Sequence, residues 1–163
     1  MIHIIPVDSP ELLHRTATVA CVIWTEHYPP LIGRAQVDYM LEHFHSEVIM
    51  RQQINEGMEY YLVTEEEGDM GYFSVQYRER DLFLSKFYLE KGARGKGHSR
   101  EMLSVVEALA FRKGLKRITL NTHKRNAIAI RAYEGLGFRI VGPVLTDIGE
   151  GYVMDDYQLE KLI

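Results

Sequence analysis

Residues 82–99 read LFLSKFYLEKGARGKGHS, an apolar and aromatic run that turns into a loop rich in glycine and basic residues. A helical pattern begins directly after the loop, so this stretch predicts a strand, a loop and a helix in succession. The first amides of a helix have no intrahelical partner, and the helix dipole adds partial positive charge there. Gly95 and Gly97 allow backbone conformations that other residues resist, and Arg94 and Lys96 add two cations. The stretch therefore predicts a site that grips a pyrophosphate-bearing molecule.

Two familiar phosphate-binding loops fit this stretch poorly. The P-loop pattern requires Ser or Thr after its Gly-Lys pair, but Gly97 follows Lys96 here. The dinucleotide fingerprint would begin at Gly95, and Arg100 then stands where its third glycine should be. A different kind of phosphate loop is needed to account for the pattern.

A second segment, residues 118–138, reads ITLNTHKRNAIAIRAYEGLGF and predicts a strand, an alanine-rich helix and a Leu-Gly-Phe turn. Together with RGKGHS at 94–99, it resembles the two signatures of the GNAT superfamily of acyl-CoA-dependent N-acetyltransferases, whose loop reads R/Q-x-x-G-x-G/A. The matching positions of the second segment are Asn126, Ala127, Ala129, Tyr133, Gly137 and Phe138. Ser99 replaces the last Gly or Ala of the loop, and because serine is small and keeps its amide, we expect the phosphate site to survive. The resemblance is specific from about Leu82 onward and covers the first half only as a pattern of elements.

The predicted elements follow one order along a single domain, residues 1–163. Ser9 and Pro10 start a first helix, which ends at Tyr28 before a Pro-Pro pair. Further helices are predicted at 34–55, 98–113 and 126–136, and strands at 2–7, 59–66, 70–77, 82–89 and 116–122, with two more strands at the C-terminal end. The resemblance implies an α/β (α+β) GNAT fold with the order β-α-α-β-β-β-α-β-α-β-β. Its mixed sheet has about seven strands and carries helices on both faces.

The resemblance also implies where acetyl-CoA binds. In the family the fourth and fifth strands separate, and the pantetheine arm pairs with the backbone of the fourth strand as a pseudo-strand. The amide of Phe87 would face the thioester carbonyl, and Tyr133 would protonate the departing thiolate. The alternative for Tyr133 is a half-buried aromatic residue that packs on the sheet. The implied cofactor-binding residues are Phe87, Tyr88, Leu89, Arg94, Gly95, Lys96, Gly97, His98, Ser99, Asn126 and Tyr133.

The implied function is acetyl-CoA-dependent transfer of an acetyl group to a primary amine by direct attack on the thioester. Many relatives carry a carboxylate where this chain has Ser85, so no general base is assigned. The candidates by residue type are Glu26, His27, His123, Asp147, Asp155 and Asp156. Trp24, Tyr28 and Tyr39 fit an acceptor pocket or core packing equally well. The acceptor is left open between a small amine, such as a polyamine, and a protein N-terminus or lysine, and a catalytically weak CoA-binding regulator is a further alternative.

Composition narrows the remaining function classes. A net charge of −4 and a pI near 6 disfavour general nucleic-acid binding, whereas a mildly acidic surface suits a cationic amine. Cys21 is the only cysteine, which excludes an intrachain disulfide, and it is expected to pack in the interior. His43 and His45 lie on different faces of a predicted helix, so no metal site is predicted. No signal peptide or membrane span is recognisable, so we expect a cytoplasmic protein without a membrane partner, and we leave open whether it forms a homodimer.

Overall fold

The computed structural model describes residues 1–163 and has seven strands and six α-helices. The strands are β1 (His3–Pro6), β2 (Glu59–Glu65), β3 (Gly68–Tyr77), β4 (Leu82–Leu89), β5 (Arg117–His123), β6 (Arg139–Gly149) and β7 (Tyr152–Leu162). The helices are α1 (Pro10–His27), α2 (Pro29–Ile32), α3 (Arg34–Phe44), α4 (Glu47–Asn55), α5 (His98–Arg112) and α6 (Ala127–Gly135), and a 3-10 turn covers Lys91–Ala93. The strands form one mixed sheet in the order β1-β2-β3-β4-β5-β7-β6, which confirms the predicted fold class.

The sheet opens between β4 and β5, its only parallel pair. These strands pair only where Leu82 meets Ile118 and Phe83 meets Thr119. Every other neighbouring pair is antiparallel and runs for most of the shorter strand's length. The last part of β4 therefore has no strand partner on its β5 side, as the resemblance implied. An unpaired backbone edge inside a protein needs other hydrogen-bonding partners.

A bulge at Ser85 changes which face of the sheet the side chains of β4 occupy. Leu84 pairs with Val75 and Lys86 pairs with Ser74, so Ser85 is an extra residue without a counterpart in β3. Before the bulge, Leu84 packs in the core beneath α5, whereas Lys86 reaches the opposite face and contacts the end of α3. A one-residue insertion in a strand produces this reversal because side chains alternate between faces.

Two hydrophobic cores cover the two faces of the sheet. The larger core lies beneath α5, where Met102 and Val106 pack against Phe73 and Ile118. On the other face the buried stripe of α1 packs against β2 and β3, with α4 beside it. Ser9 accepts a hydrogen bond from the Leu12 amide and caps α1, as its sequence predicts. No helix in the protein has both the length and the apolar character that crossing a membrane requires.

Two local expectations for the first half are wrong. The single helix predicted at 34–55 is two helices, because Ser46 accepts a hydrogen bond from the Ile49 amide and caps a new helix. His45 turns inward at this break, where its ring lies 4.4 Å from that of Trp24. Cys21 is exposed rather than buried, because the buried stripe of α1 passes through Ala20 and Trp24 and leaves position 21 on the outer side.

Candidate functional site

Two cavities meet where the sheet opens. The loop-side cavity lies between the start of α5 and α6 and has Arg94, Ser99 and Asn126 in its wall. The sheet-side cavity lies between the separated strands and the helices α1 and α3. The residues common to both walls are Tyr28, Phe87, Tyr88 and Tyr133. A molecule in one cavity is therefore in reach of a molecule in the other across these side chains.

The loop before α5 presents free backbone amides. Gly97 opens the helix in the left-handed region at φ 84°, and Gly95 takes φ 78°. The helices α1, α4 and α6 are each capped by a side chain, but no side chain caps α5. The amides of its first turn are consequently available to an anion, and the helix dipole favours negative charge at that end.

The six predicted loop residues divide into three groups. Arg94, Gly95 and Ser99 lie in the wall of the loop-side cavity. Lys96 and Gly97 are exposed just outside this wall. The side chain of His98 turns away from the cavity: its ring nitrogens lie 3.9 Å from Glu65 and 3.8 Å from Glu101. The structure therefore leaves His98 only its backbone amide as a contribution to an anion site.

The free edge of β4 presents Phe87 and Leu89 to the opening. The Glu90 amide donates to the Met70 carbonyl on β3, and backbone groups alternate direction along a strand. The amides of Phe87 and Leu89 therefore point to the opposite edge, where β5 does not pair. Two side chains donate to carbonyls on that edge: the Tyr133 hydroxyl to Phe87 at 3.4 Å, and Arg94 Nε to Leu89 at 3.1 Å.

Tyr133 stands at the junction of the two cavities. Its ring packs 6.1 Å from that of Phe87 and 5.8 Å from that of Phe138. Burial raises the pKa of its phenol well above the ordinary value, so the hydroxyl stays protonated at neutral pH. The side chain therefore packs on the sheet and directs its hydroxyl toward the free edge of β4, and its catalytic role stays a prediction.

Asn126 supports the loop-side cavity from the start of α6. Its side-chain oxygen accepts a hydrogen bond from the Ala129 amide at 3.4 Å and lies 3.1 Å from His27 Nε2. These contacts cap α6 and join it to the end of α1. The side-chain oxygen is occupied, so the NH₂ group of Asn126 is what remains for a ligand.

The sheet-side cavity is lined mainly by aromatic and aliphatic side chains. Trp24 and Tyr28 stack at 4.0 Å in its wall. Both also belong to a buried apolar cluster, so an acceptor pocket and core packing both remain open for them. Tyr39 does not line it, because its hydroxyl donates to the Ile148 carbonyl at 2.5 Å and its ring stacks on His43. The remaining apolar wall residues are Met40, Phe44, Phe83, Leu84, Leu120, Ile148 and Met154.

A buried polar cluster closes one end of this cavity. Lys86 donates to the Phe44 carbonyl at 2.5 Å and also contacts Gln53 and the Tyr60 hydroxyl. His45 Nδ1 lies 2.9 Å from the Tyr72 hydroxyl. Burial lowers the pKa of Lys86 to about 7 and holds the pKa of His45 well below its ordinary value. The cluster ties the break between α3 and α4 to the central strands.

The shifted pKa of Lys86 predicts a pH-dependent stability. Between about pH 7 and 10.5 the unfolded lysine holds more proton than the native one, so the free energy of unfolding should rise with pH across this range. Lys86→Met should flatten this rise. Urea denaturation at pH 7, 8 and 9 measures it, and equal slopes in both proteins would contradict the assignment.

Asp156 is the one buried carboxylate of the sheet-side cavity. One of its carboxylate oxygens is buried without a hydrogen-bond partner. Burial, reinforced by the nearby charge of Asp155, raises the pKa of Asp156 to about 6. The sequence could not distinguish Asp156 from the other general-base candidates, because its burial depends on the pairing of β7 with β5 and β6.

The other base candidates are placed differently. Glu26, Asp147 and Asp155 are exposed, and His27 contacts Asn126. His123 lies in the sheet-side wall, where its Nδ1 accepts a hydrogen bond from the Arg125 amide. Burial, with the charge of Arg125, lowers the pKa of His123.

Most of the chain matches a known protein family. The Acetyltransferase (GNAT) family matches residues 22–138 of the chain. Uncharacterized N-acetyltransferases of Mycobacterium bovis and Mycobacterium tuberculosis are 32% identical over 85 residues, which are 52% of this chain and 54% of each relative. The chain thus spans about half the length of the curated relatives it matches.

Solved structures share the whole fold. The PaiA N-acetyltransferase from Thermoplasma acidophilum, in complex with coenzyme A, superposes with a TM-score of 0.81 at 20% identity, covering 100% of this chain and 99% of that one. A GCN5-related N-acetyltransferase structure from Rhodopseudomonas palustris gives 0.80 at 16% identity, covering 99% and 95%. At these identities the similarity establishes the fold alone.

Proposed function

The chain belongs to the GNAT family of acetyltransferases, and we propose that it transfers an acetyl group from acetyl-CoA to a small primary amine. The observation that carries the proposal is the meeting of two cavities at Phe87 and Tyr133. One cavity has the loop and free strand edge that a long phosphorylated thioester needs. The other is apolar with one buried carboxylate, which suits an amine. Acyl transfer requires the two reactants to meet at a single point.

Acetyl-CoA is proposed to occupy the loop-side cavity. Its pantetheine arm would pair with the free backbone amides of Phe87 and Leu89, replacing the missing strand partner. Its pyrophosphate would lie on the amides at the start of α5, with Arg94 beside it. The coenzyme A bound to the similar Thermoplasma acidophilum protein supports this choice of co-substrate.

The chemistry follows from the groups around the junction. The amine lone pair attacks the thioester carbonyl carbon, and the charge that develops on the carbonyl oxygen is stabilised by the amide of Phe87. The carbon–sulfur bond then breaks, and the departing thiolate takes a proton from the Tyr133 hydroxyl. The attacking nitrogen carries one extra proton after the new bond forms, and the transfer of that proton to the Tyr133 phenolate leaves a neutral amide and restores the hydroxyl. Burial keeps Tyr133 protonated before the reaction, and the same apolar surroundings raise the proton affinity of the thiolate that forms beside it.

The sheet-side cavity favours a small amine with one cationic centre and an apolar body. Its volume is about 220 Å³, small for a ligand pocket, and its wall contains one buried carboxylate among aromatic side chains. A second cationic centre would face the Lys86 side chain, which cannot act as a counter-ion, rather than another carboxylate. These features favour a monoamine over a polyamine, and a small molecule over a folded polypeptide.

A thiol-release assay with acetyl-CoA and a panel of amines tests this function. We expect 2-phenylethylamine to be acetylated with a higher kcat/KM than spermidine, free amino acids or a peptide N-terminus. Faster turnover of spermidine or the peptide would contradict the acceptor class. Stabilisation by acetyl-CoA against heat, without thiol release from any amine, would identify a CoA-binding regulator instead.

Arg94 provides a test of the cofactor site. Arg94→Ala should weaken acetyl-CoA binding by about 1–3 kcal/mol, because a charge-assisted hydrogen bond to phosphate is lost. Lys91→Ala is the matched control, since Lys91 is an exposed cation outside the loop-side wall. Calorimetry measures both affinities. An equal loss in the two variants would indicate a general charge effect rather than a contact.

A further inference from the structure

We propose that Asp156 holds the ammonium group of the acceptor and accepts the proton that the amine loses before attack. The inference rests on the proposed function, because it assigns a residue to the acceptor side of that site. Amines are mostly protonated at neutral pH, and only the neutral amine has the lone pair that attacks a thioester. Ser85 on β4, at the edge of the same cavity, has no group that titrates in this range.

The position of Asp156 carries the proposal. The residue is 6% exposed, its side chain lies in the wall of the sheet-side cavity, and one carboxylate oxygen has no partner in the protein. Leaving a buried carboxylate oxygen unpaired is costly, so such groups call for a specific explanation. An ammonium ion in the cavity supplies the missing partner. Tyr133, the proposed acid, lines the same cavity, so the proton acceptor and donor are both next to the bound amine.

The charged and titratable groups around Asp156 allow it to act as a base. The neighbouring titratable groups are Tyr28 directly after α1, Lys86 on β4, His123 on β5, Tyr133 on α6 and Asp155 on β7. On β6 the residue that pairs with Asp156 is the apolar Val144. Burial raises the pKa of Tyr28 to about 12 and lowers the pKa of His123, so both are neutral at pH 7–8. Asp155 forms an ion pair with Lys124 at 3.0 Å. No cation in this set forms an ion pair with Asp156.

The proton transfer balances within the cavity. The ammonium N–H bond breaks, its proton moves to a carboxylate oxygen of Asp156, and the amine keeps the electron pair for attack. An apolar wall penalises both ions of the ammonium–carboxylate pair, so it favours the neutral amine and neutral acid compared with water. The raised pKa of Asp156 shows the same penalty acting on the carboxylate alone. The proton leaves to solvent after product release.

The test is the pH dependence of kcat/KM with 2-phenylethylamine. In the native enzyme kcat/KM should rise with pH through an apparent pKa of about 6, and then stay level to about pH 9. Asp156→Asn keeps the shape of the side chain and removes its ability to accept a proton. It should lower kcat/KM about 10²-fold at pH 7, and the rate should then rise steadily toward the pKa of the amine, about 10 for an alkylamine.

Two further variants and one binding measurement test whether the effect is specific to the carboxylate of Asp156. Asp155→Asn removes the exposed neighbouring carboxylate and should keep the native rate above pH 7. The low-pH rise should move to lower pH in this variant, because the charge of Asp155 no longer raises the pKa of Asp156. Asp156→Glu should retain the low-pH rise even if it reacts more slowly. Calorimetry should show weaker binding of 2-phenylethylamine to the Asp156→Asn enzyme–CoA complex, with unchanged affinity for CoA itself. Unchanged CoA affinity also shows that the variant is folded.

The outcomes separate the inference from the proposed function. An Asp156→Asn enzyme with the native rate, or one that is slower at every pH with an unchanged profile, would overturn the role of Asp156 and leave the acetyltransferase function standing. Absence of turnover in the native protein with every amine tested would overturn both.

Discussion

Replacing Gly97 with glutamate is expected to abolish binding of acetyl-CoA. Gly97 opens α5 at φ 84°, where the proposed pyrophosphate site lies. A carboxylate at this position would occupy the helix N-terminus and repel the phosphates, which compete for the same amides. Calorimetry with the folded variant measures the effect, and unchanged affinity would contradict the assignment of the loop.

Two controls separate charge from backbone strain in this experiment. Gly97→Ala imposes the same left-handed backbone on a residue with a Cβ, at a cost of about 1–2 kcal/mol, but adds no charge. A Cβ at Gly97 meets no atom within 4 Å, so only strain is introduced. Gly92→Glu adds the same carboxylate on the preceding turn, where φ is not positive and space is open. We expect both controls to bind acetyl-CoA far better than Gly97→Glu does.

Tyr133→Phe is expected to slow the chemical step by about 10²–10⁴-fold, the usual contribution of general acid catalysis. The substitution removes one hydroxyl and keeps the ring that packs on Phe87 and Phe138. Affinity for acetyl-CoA should therefore stay near native, and the loss should appear in kcat, as for an interaction made in the transition state.

Single-turnover rates are the appropriate measurement for Tyr133, because slow product release would hide a defect in steady-state kcat. Tyr61→Phe is the matched control. It removes a hydroxyl from β2, outside both cavities, that donates to Glu59 at 2.7 Å. We expect its single-turnover rate to be native. A native rate in Tyr133→Phe as well would reduce Tyr133 to a packing residue.

The amino-acid sequence by itself determined the parts of this protein that depend on local signals. The apolar run that ends in a glycine-rich loop located β4 at Leu82–Leu89 and the start of α5 at His98. Ser9 and Pro10 marked the start of α1 in the same way. Such signals are readable because strand alternation, capping and left-handed glycines each involve residues close together in the chain. The two motifs and their order were also sufficient to identify the family and its fold.

Only the tertiary structure decided the break between α3 and α4, the bulge at Ser85 and the position of Asp156. His45 leaves the helical path where it packs on Trp24 and lies beside Tyr72, which are distant in the chain. The bulge appears only in the register of β4 against β3. Asp156 differs from Asp155 in burial alone, because β7 is inserted between β5 and β6 and directs alternate side chains into the cavity. Burial and pKa belong to a residue's surroundings, and those surroundings come from segments that meet only when the chain folds.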